Sequence, residues 1–244
     1  MQRVLLCRHG QGYHNATADE PPKLMLKDPE LTAQGVGEAR AIFADAPGPG
    51  RLDFKPEVAF VSPLWRTLQT ATQAMASRSD GHTCPIVAME DVREHNNMNG
   101  CNHRRPISEA HREAFPSVDF SGVDVNGPPP GAEWEPPYRA AFGVMRARAA
   151  RALETVGARP EQRVAVFCHG SFLRALLSNV LELGPHHAVQ APRTGQAVEL
   201  WRVETPSGER YWELQTDPAN ATVVTLLSRR GETRPAWELG AQFR

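Results

Sequence analysis

Near its start the chain reads Val4-Leu5-Leu6-Cys7-Arg8-His9-Gly10, a short apolar run that ends abruptly in Arg-His-Gly. An apolar run without alternation predicts a strand buried on both faces, as in a parallel sheet. Two further runs repeat this design: Val58 to Val61 continues into Ser62-Pro63, and Val164 to Cys168 continues into His169-Gly170-Ser171. The sequence therefore predicts three central strands that each end in polar residues.

Helical patterns follow these strands. Thr32 is predicted to cap one helix, and Ser62 is predicted to cap another with Pro63 at its first position. Apolar spacing predicts a third helix from Phe172 to Leu183 and a long fourth helix from Tyr138 to Val156, closed by Gly157. Strands that alternate with helices indicate an α/β fold with a mostly parallel sheet covered on both faces.

The remaining chain is predicted to be less regular. Ala197 to Val203 and Thr222 to Leu227 are typical of sheet-edge strands, separated by a turn at Pro206-Ser207-Gly208. The Pro/Gly-rich stretches at 46–50 and 127–131 predict loops. We expect one domain over residues 1–244, with 91–137 as an irregular, lid-like excursion. On the long helix, the exposed face is predicted to carry Arg139, Arg146, Arg148 and Arg151.

Composition and charge exclude several classes of function. The 244 residues are 41% apolar and 23% charged, which is enough to bury a large core, and the net charge of -1 gives no global attraction for nucleic acid or an anionic membrane. No apolar run approaches the roughly 18 residues of a membrane span, and Arg8-His9 interrupts the first run before it reaches the length of a signal-peptide core. These features predict a soluble, cytoplasmic protein, either a monomer or a homodimer, that binds neither nucleic acid nor membranes.

Polar side chains are expected to meet at one edge of the sheet. Open α/β sheets bind ligands at the carboxyl ends of their strands, where Arg8-His9, Ser62 with Arg66, and His169 all fall. Helix amides and Arg guanidiniums bind oxyanions, and a neutral imidazole can attack phosphorus. The sequence therefore predicts a pocket for a phosphate-like anion.

Four motifs, in order along residues 4–174, carry a resemblance to a known family. Together they resemble the histidine phosphatase (phosphoglycerate mutase-like) superfamily, whose fold is a three-layer α/β/α sandwich. The motifs are Leu6-Cys7-Arg8-His9-Gly10 with Asn15, Leu31-Thr32-Ala33-Gln34-Gly35, the segment from Ser62 to Ala71, and the segment from Cys168 to Arg174. Residues 93–120 further resemble the plant, algal and fungal branch of phosphoglycerate mutase-like proteins.

The resemblance implies a role for each motif residue. His9 is expected to be the nucleophile that forms a phosphohistidine, with Arg8, Arg66 and His169 holding the phosphoryl oxygens. Asn15 and the helix start at Gly170 are expected to bind substrate. Glu94 matches the place of the family's proton donor, although Glu90, Asp91 and Glu109 are close enough in sequence to compete with it. The resemblance implies no metal and no cofactor.

Two features of the excursion are open to more than one interpretation. Arg104 and Arg105 are candidates to bind a second anionic group of the substrate, and they are equally candidates to hold the excursion in place through ion pairs. Cys101-Asn102-His103, with Cys84 and His95, has no spacing typical of a zinc site. The four cysteines are therefore expected to be reduced thiols that bind no metal.

The expected function is a metal-independent phosphomonoesterase, a histidine phosphatase-type hydrolase that acts on a small phosphorylated substrate or releases inorganic phosphate. A phosphoglycerate mutase is the second hypothesis. It is less favoured because Gly10 is followed by Gln11 where such mutases have glutamate, and because their Tyr- and Gly-rich substrate motif is absent from the sequence. A non-catalytic phosphate-binding module is the third, opposed by the complete set of expected site residues.

Overall fold

The computed structural model describes residues 1–16, 26–44, 53–95, 100–126, 138–183, 188–189, 191–215, 225–227 and 233–235. The helices and strands are listed here in chain order. They are β1 (Arg3–Arg8), α1 (Ala33–Ala41), β2 (Val58–Val61), α2 (Trp65–Ala76), β3 (Ile86–Ala88), α3 (Glu109–Ala114), β4 (Val118–Asp119), α4 (Tyr138–Gly157), β5 (Arg163–Cys168), α5 (Gly170–Val180), β6 (Ala188–Val189), β7 (Ala197–Glu204), β8 (Arg210–Gln215), β9 (Thr225–Leu227) and β10 (Thr233–Pro235).

The main sheet has seven strands in the order β4-β3-β2-β5-β1-β7-β8. The strands from β4 to β1 are parallel to their neighbours, whereas β7 is antiparallel to β1 and β8 is antiparallel to β7. The three strands predicted from apolar runs are β2, β5 and β1, which lie side by side in the sheet. A separate antiparallel sheet has the order β10-β9-β6.

Helices cover both faces of the main sheet, which makes the fold the predicted three-layer α/β/α sandwich. Along β1, Leu5 packs into a core that includes Leu68 of α2, whereas Leu6 packs into a second core that includes Met145 of α4 and Phe172 of α5. Successive residues of a strand point to opposite faces, so an unbroken apolar strand can contribute to both cores. This double burial explains why β1, β2 and β5 have no polar alternation.

The helix starts confirm one predicted cap and correct another. The Thr32 hydroxyl accepts a hydrogen bond from Gly35 N (3.1 Å), as expected for the N-cap of α1. The prediction that Ser62 caps α2 is wrong, because that helix begins at Trp65 and its N-cap residue is Leu64. Asp28 Oδ1 accepts a hydrogen bond from Trp65 N instead (2.9 Å). The first turn of α2 is therefore capped by a side chain 37 residues earlier in the chain.

The other helices and edge strands match the sequence pattern in part. Helix α4 ends at Gly157 as predicted, while α5 ends at Val180, three residues before the predicted end. Strand β7 corresponds to the predicted strand at 197–203, but β9 lies in the second sheet, and β8 was not predicted. The expected loops at 46–50 and 127–131, and residues 222–224, lie outside the described residues. Within the described part of the chain, no helix is both long and apolar enough to cross a membrane.

Candidate active site

Two buried imidazoles and a buried guanidinium meet at the carboxyl ends of the central strands. His9 directly follows β1, His169 directly follows β5, and Arg66 lies in the first turn of α2. The rings of the two histidines have centroids 5.0 Å apart, and Arg66 Nε lies 3.3 Å from His9 Nε2. Each of the three residues is at most 1% exposed. The sheet therefore brings together three of the residues that the sequence predicts for the site.

The hydrogen bonds of His9 define its tautomer. Nδ1 lies 2.7 Å from the carbonyl oxygen of Gly10, and a carbonyl can only accept, so Nδ1 carries the ring proton. Nε2 then has a free lone pair, which accepts a hydrogen bond from Arg66 Nε. Burial lowers the pKa of His9 well below its usual value, and the positive charges of Arg66, His14 and Arg8 lower it further. At neutral pH the ring is uncharged, with Nε2 available as a nucleophile.

His169 has a different environment from His9. Its Nε2 lies 2.7 Å from Ser62 Oγ and 3.5 Å from Thr67 Oγ1, while its Nδ1 has no hydrogen-bond partner among the described residues. Burial again lowers the pKa of this ring well below the usual value, with a smaller contribution from Arg66. His169 is also the N-cap residue of α5, so it stands at the start of that helix, where backbone amides have no intrahelical acceptor.

Arg8 lies across the first residue of α5. Its Nη1 donates to the carbonyl oxygen of Pro192 (2.7 Å), and its Nε has no acceptor among the described residues. A Cβ at Gly170 would come 3.2 Å from Arg8 Cζ, closer than side chains usually pack. Gly170 therefore leaves room for a guanidinium at the helix start, and burial lowers the pKa of Arg8 from its usual value.

Arg66 connects the strand ends to the excursion. Its Nη1 donates to the carbonyl oxygen of Cys101 (2.7 Å) and its Nη2 to Asn102 Oδ1 (3.0 Å), while its Nε reaches His9. Asn102 Nδ2 in turn donates to the carbonyl oxygen of His95 (2.8 Å). Sequence reasoning missed Asn102, which has no periodicity or spacing that could single it out. The contacts show that Cys101 and Asn102 lie over the guanidinium, with His95 held to Asn102.

Glu94 reaches the same helix start from the excursion. Its Oε2 accepts from Ser171 N (3.2 Å) at the start of α5, and its Oε1 accepts from His95 N (2.8 Å). An acidic side chain is favoured at a helix N-terminus by the free amides and the helix dipole. The acids that compete with it in the sequence are placed elsewhere: Glu90 pairs with Arg93 and Arg104, Asp91 pairs with Arg151, and Glu109 begins α3.

Asn15 makes a local contact. Its Oδ1 accepts from Gly12 N (3.2 Å) across the 3₁₀ turn Tyr13–Asn15. The neighbouring His14, by contrast, has its ring centroid 5.5 Å from that of His9. The described contacts thus bring His14 to the histidine pair, whereas those of Asn15 lie within its own turn.

Arg104 and Arg105 contact the excursion and the segment before α1. Arg104 Nε lies 3.2 Å from Glu90 Oε2, and its Nη2 donates to the carbonyl oxygen of Asp124 (2.7 Å). Arg105 Nη2 donates to the carbonyl oxygens of Lys27 (3.2 Å) and Asp28 (3.0 Å). These contacts favour the interpretation that both arginines hold the excursion in place over the one in which they bind substrate.

Asp28 is a buried carboxyl group that sequence reasoning missed. It is 0% exposed and adopts a positive φ of 44°, and its two carboxyl oxygens accept from Trp65 N and Arg105 N. Burial raises the pKa of Asp28, and the charges of Arg66 and Arg105 oppose that effect. The residue ties the start of α2 to the excursion, and its role depends on contacts that no local pattern reveals.

The histidine loop is also fixed by a close approach of backbone to backbone. A Cβ on Gly10 would overlap the carbonyl of Gly35, and a Cβ on Gly35 would overlap the carbonyl of Gln11. Gly10 N donates to Thr70 Oγ1 (3.1 Å), which holds the same loop against α2. Only glycine fits at such contacts, so the loop after β1 is pressed against the start of α1.

The cysteines are free thiols, and no group of three or more His, Cys, Asp or Glu side chains is placed to hold a metal ion in the described ranges. Cys7 and Cys168 lie on the neighbouring strands β1 and β5, but their side chains pack into different cores. Their side chains therefore lie on opposite faces of the sheet. Burial raises the pKa of the Cys168 thiol well above its usual value.

Comparison with known proteins places this chain in a family. The sequence matches the histidine phosphatase superfamily (branch 1) over residues 4–218, and the chain belongs to that superfamily. It is similar to phosphoglycerate mutase-like protein 1 of Arabidopsis thaliana, at 28% identity over 198 residues that cover 70% of this chain and 68% of that protein. A second phosphoglycerate mutase-like protein of the same plant is 26% identical over 204 residues, covering 72% of this chain and 73% of its own length.

Solved structures share the fold at lower identity. A mycobacterial glucosyl-3-phosphoglycerate phosphatase superposes with a TM-score of 0.55 at 19% identity, over 91% of this chain and 100% of that one. A phosphoserine phosphatase from Entamoeba histolytica superposes with a TM-score of 0.52 at 14% identity, again over 91% and 100%. These matches establish the phosphoglycerate mutase-like α/β fold predicted from the sequence.

Proposed function

We propose that the protein is a metal-independent phosphomonoesterase that works through a phosphohistidine on His9. The observation that carries the proposal is the tautomer of His9, whose Nδ1 proton is held by the carbonyl oxygen of Gly10. That hydrogen bond leaves the Nε2 lone pair facing Arg66 in a site that also holds His169. A neutral imidazole fixed in this way is suited to attack on phosphorus.

The surrounding groups supply the binding site for the transferred phosphoryl group. Arg8 and Arg66 provide positive charge, and the amide of Gly170 lies at a helix N-terminus that favours anions. Arg8 Nε and His169 Nδ1 have no hydrogen-bond partner among the described residues. Buried polar atoms are usually paired, so two such atoms in one site support the presence of an oxyanion there during the reaction.

The first step transfers the phosphoryl group to the protein. Arg66 Nε gives up its bond to His9 Nε2, and Nε2 attacks phosphorus. A P–N bond forms while the ester P–O bond breaks. Protonated Glu94 donates its proton to the departing alkoxide, which leaves as an alcohol. The guanidiniums of Arg8 and Arg66 offset the charge that develops on the phosphoryl oxygens.

The second step releases phosphate. Glu94, now a carboxylate, takes a proton from water as that water attacks phosphorus, and the P–N bond breaks. The products are inorganic phosphate, neutral His9 and protonated Glu94, which restores the starting state. Because guanidiniums provide the charge neutralisation that Mg²⁺ provides in other phosphoryl-transfer enzymes, we expect activity without a metal.

The substrate we propose is a small phosphomonoester. The structural neighbours include phosphatases named for glucosyl-3-phosphoglycerate and for phosphoserine. Phosphoglycerate mutase is the second candidate, because the curated relatives carry mutase-like names. A mutase would pass the phosphoryl group from His9 to a second hydroxyl in place of water, and a coupled assay for phosphoglycerate isomerisation separates the two activities.

The test is hydrolysis of an aryl phosphate in excess chelator by the wild type, His9→Ala and Glu94→Ala. We expect turnover by the wild type, none by His9→Ala, and partial loss in Glu94→Ala, because an aryl leaving group needs less protonation. His82→Ala is the matched control, since His82 Nε2 is engaged by the carbonyl oxygen of Pro56 (2.7 Å). An active His9→Ala, or a wild type that binds phosphate without hydrolysis or isomerisation, would overturn the proposal.

A further inference from the structure

Arg148 of α4 has an environment that its sequence context does not predict. The helical pattern places it on a solvent-exposed face with Arg151, yet the residue is only 9% exposed. The prediction is wrong for Arg148, because its guanidinium turns inward to the segment that carries Glu94. Residues 91–94 lie against the middle of α4, where Arg148 and Arg151 contact them.

The guanidinium of Arg148 donates to three backbone carbonyls of that short segment. Nη1 donates to Arg93 O (2.6 Å) and Asp91 O (3.3 Å), and Nη2 donates to Glu94 O (3.3 Å). A guanidinium presents its donors in a fixed, planar arrangement, so it can hold several acceptors at once. The backbone of 91–94 is therefore fixed by one side chain from a different layer of the fold.

The same guanidinium also contacts α5. Arg148 Cζ lies 5.9 Å from the centre of the Phe172 ring, which is in the first turn of that helix. Arg148 thus lies between the two elements whose separation sets the contact of Glu94 Oε2 with Ser171 N. A shift of the segment would move the Glu94 carboxyl away from the helix start that follows His169.

We propose that Arg148 is a positioning residue that holds the Glu94 carboxyl where it can protonate the leaving group. The inference rests on the proposed function, in which Glu94 is the proton donor. Arg148 acts through the backbone of 91–94, to which its guanidinium donates, and its charge has only a minor effect on the pKa of His169. Its loss should therefore impair proton transfer and spare nucleophilic attack.

Leaving-group dependence distinguishes this role from a general contribution to folding. An alkyl phosphate leaves as a strongly basic alkoxide and needs the proton, whereas para-nitrophenyl phosphate leaves as a weakly basic phenolate. A variant that is merely less stable loses active protein and slows both substrates equally. A variant with a misplaced Glu94 slows the alkyl substrate selectively.

The experiment compares kcat/KM for glycerol phosphate and para-nitrophenyl phosphate. We expect Arg148→Met to reduce the alkyl value by about 10-fold to 100-fold and the aryl value by less than about threefold, a smaller effect than the loss of a general acid itself. Arg148→Lys keeps the charge but not the planar set of donors, so it should fall between wild type and Arg148→Met. Arg151→Met is the control, because Arg151 on the same helix pairs with the Asp91 side chain (3.1 Å) and is largely exposed.

A double variant makes the test specific for Glu94. In Glu94→Gln/Arg148→Met, the alkyl rate should equal that of Glu94→Gln alone, because a proton donor that is absent cannot be misplaced. Equal losses on both substrates, or losses that multiply in the double variant, would overturn the inference. If Arg148→Met does not fold, the same comparison made with Arg148→Lys decides the question.

Different results would contradict the role of Arg148 and the proposed function. A wild type that hydrolyses neither substrate contradicts the proposed function itself. A wild type that is active, with a leaving-group effect in Glu94→Gln and none in Arg148→Met, contradicts only the role of Arg148.

Discussion

The strand ends and the excursion place side chains in the site by different means. His9 and His169 are brought together by the parallel pairing of β1 with β5, in which Arg8 lies opposite Cys168, so the next residue on each strand enters the site. The segment with Glu94 lacks such a ladder, because it runs through 3₁₀ turns at Glu90–Val92 and Gly100–Asn102. Buried arginines hold it instead.

The two regions are therefore stabilised by different kinds of hydrogen bond. Backbone hydrogen bonds fix the nucleophile, since a strand cannot shift without breaking its ladder. Guanidinium-to-carbonyl bonds from Arg66, Arg104 and Arg148 fix the excursion, and each of these depends on a single side chain. One substitution can therefore release part of the excursion, whereas the strand ends should resist change at most positions.

Arg66 links both regions, so its replacement should have the largest effect. In Arg66→Lys an ammonium cannot reach His9, Cys101 O and Asn102 Oδ1 together, although the charge is kept. We expect kcat/KM for an aryl phosphate to fall by about 100-fold to 1,000-fold. Arg40→Lys, which changes an exposed arginine bonded to Gln73, is the control. Retention of more than about a tenth of the activity would contradict this account of Arg66.

A smaller effect is expected where backbone packs on backbone beside the strand ends. Gly35→Ala places a methyl group against the carbonyl of Gln11, and we expect the free energy of unfolding in urea to fall by about 2–3 kcal/mol. Gly37→Ala, in the same helix with nothing within 4 Å of the added carbon, should raise it by about 0.5–1 kcal/mol. Equal stabilities of the two variants would mean that the close approach at Gly35 does not constrain the loop.

The contrast between the two regions also explains what the sequence could predict. The apolar runs of β1, β2 and β5 are recognisable in the sequence itself. The strand ends and the histidines that follow them could therefore be located from the local pattern. Asp28 caps α2 from 37 residues away, and Arg148 is buried although the helical pattern predicts an exposed face. Both depend on tertiary contacts, which periodicity does not encode.

A milder effect is expected from a substitution of Arg104, which tests whether this residue holds the excursion in place or binds substrate. If Arg104 only pins the excursion, Arg104→Met should lower the free energy of unfolding by about 1–3 kcal/mol, because it loses a buried charge-assisted contact with Glu90 and Asp124 O. The KM for a phosphorylated substrate should stay unchanged. Arg112→Met, in the same region but exposed, is the control. A KM raised about tenfold without loss of stability would instead support a direct substrate contact.

The smallest expected effect is on the pH dependence of stability. Burial lowers the pKa of His9 and His169 in the folded protein, so the unfolded chain takes up protons first as the pH falls. Stability is then fully present above the unfolded value of about 6.5 and is lost below it. We expect a loss of about 1 kcal/mol between pH 7 and pH 6, measured by urea unfolding. His169→Gln should reduce that slope without abolishing it, because His9 and His111, whose pKa values burial also lowers, still contribute. An unchanged slope would show that His169 does not contribute.

The phosphohistidine on His9 can be tested by trapping the phosphorylated protein and mapping the modified residue. Glu94→Gln is mixed with para-nitrophenyl phosphate, quenched in alkali and digested for mass spectrometry, because loss of the general base should slow release of the phosphoryl group. We expect an acid-labile phosphate on His9 that is absent from His9→Ala. Turnover without any phosphoprotein, or a phosphate on a different residue, would contradict it.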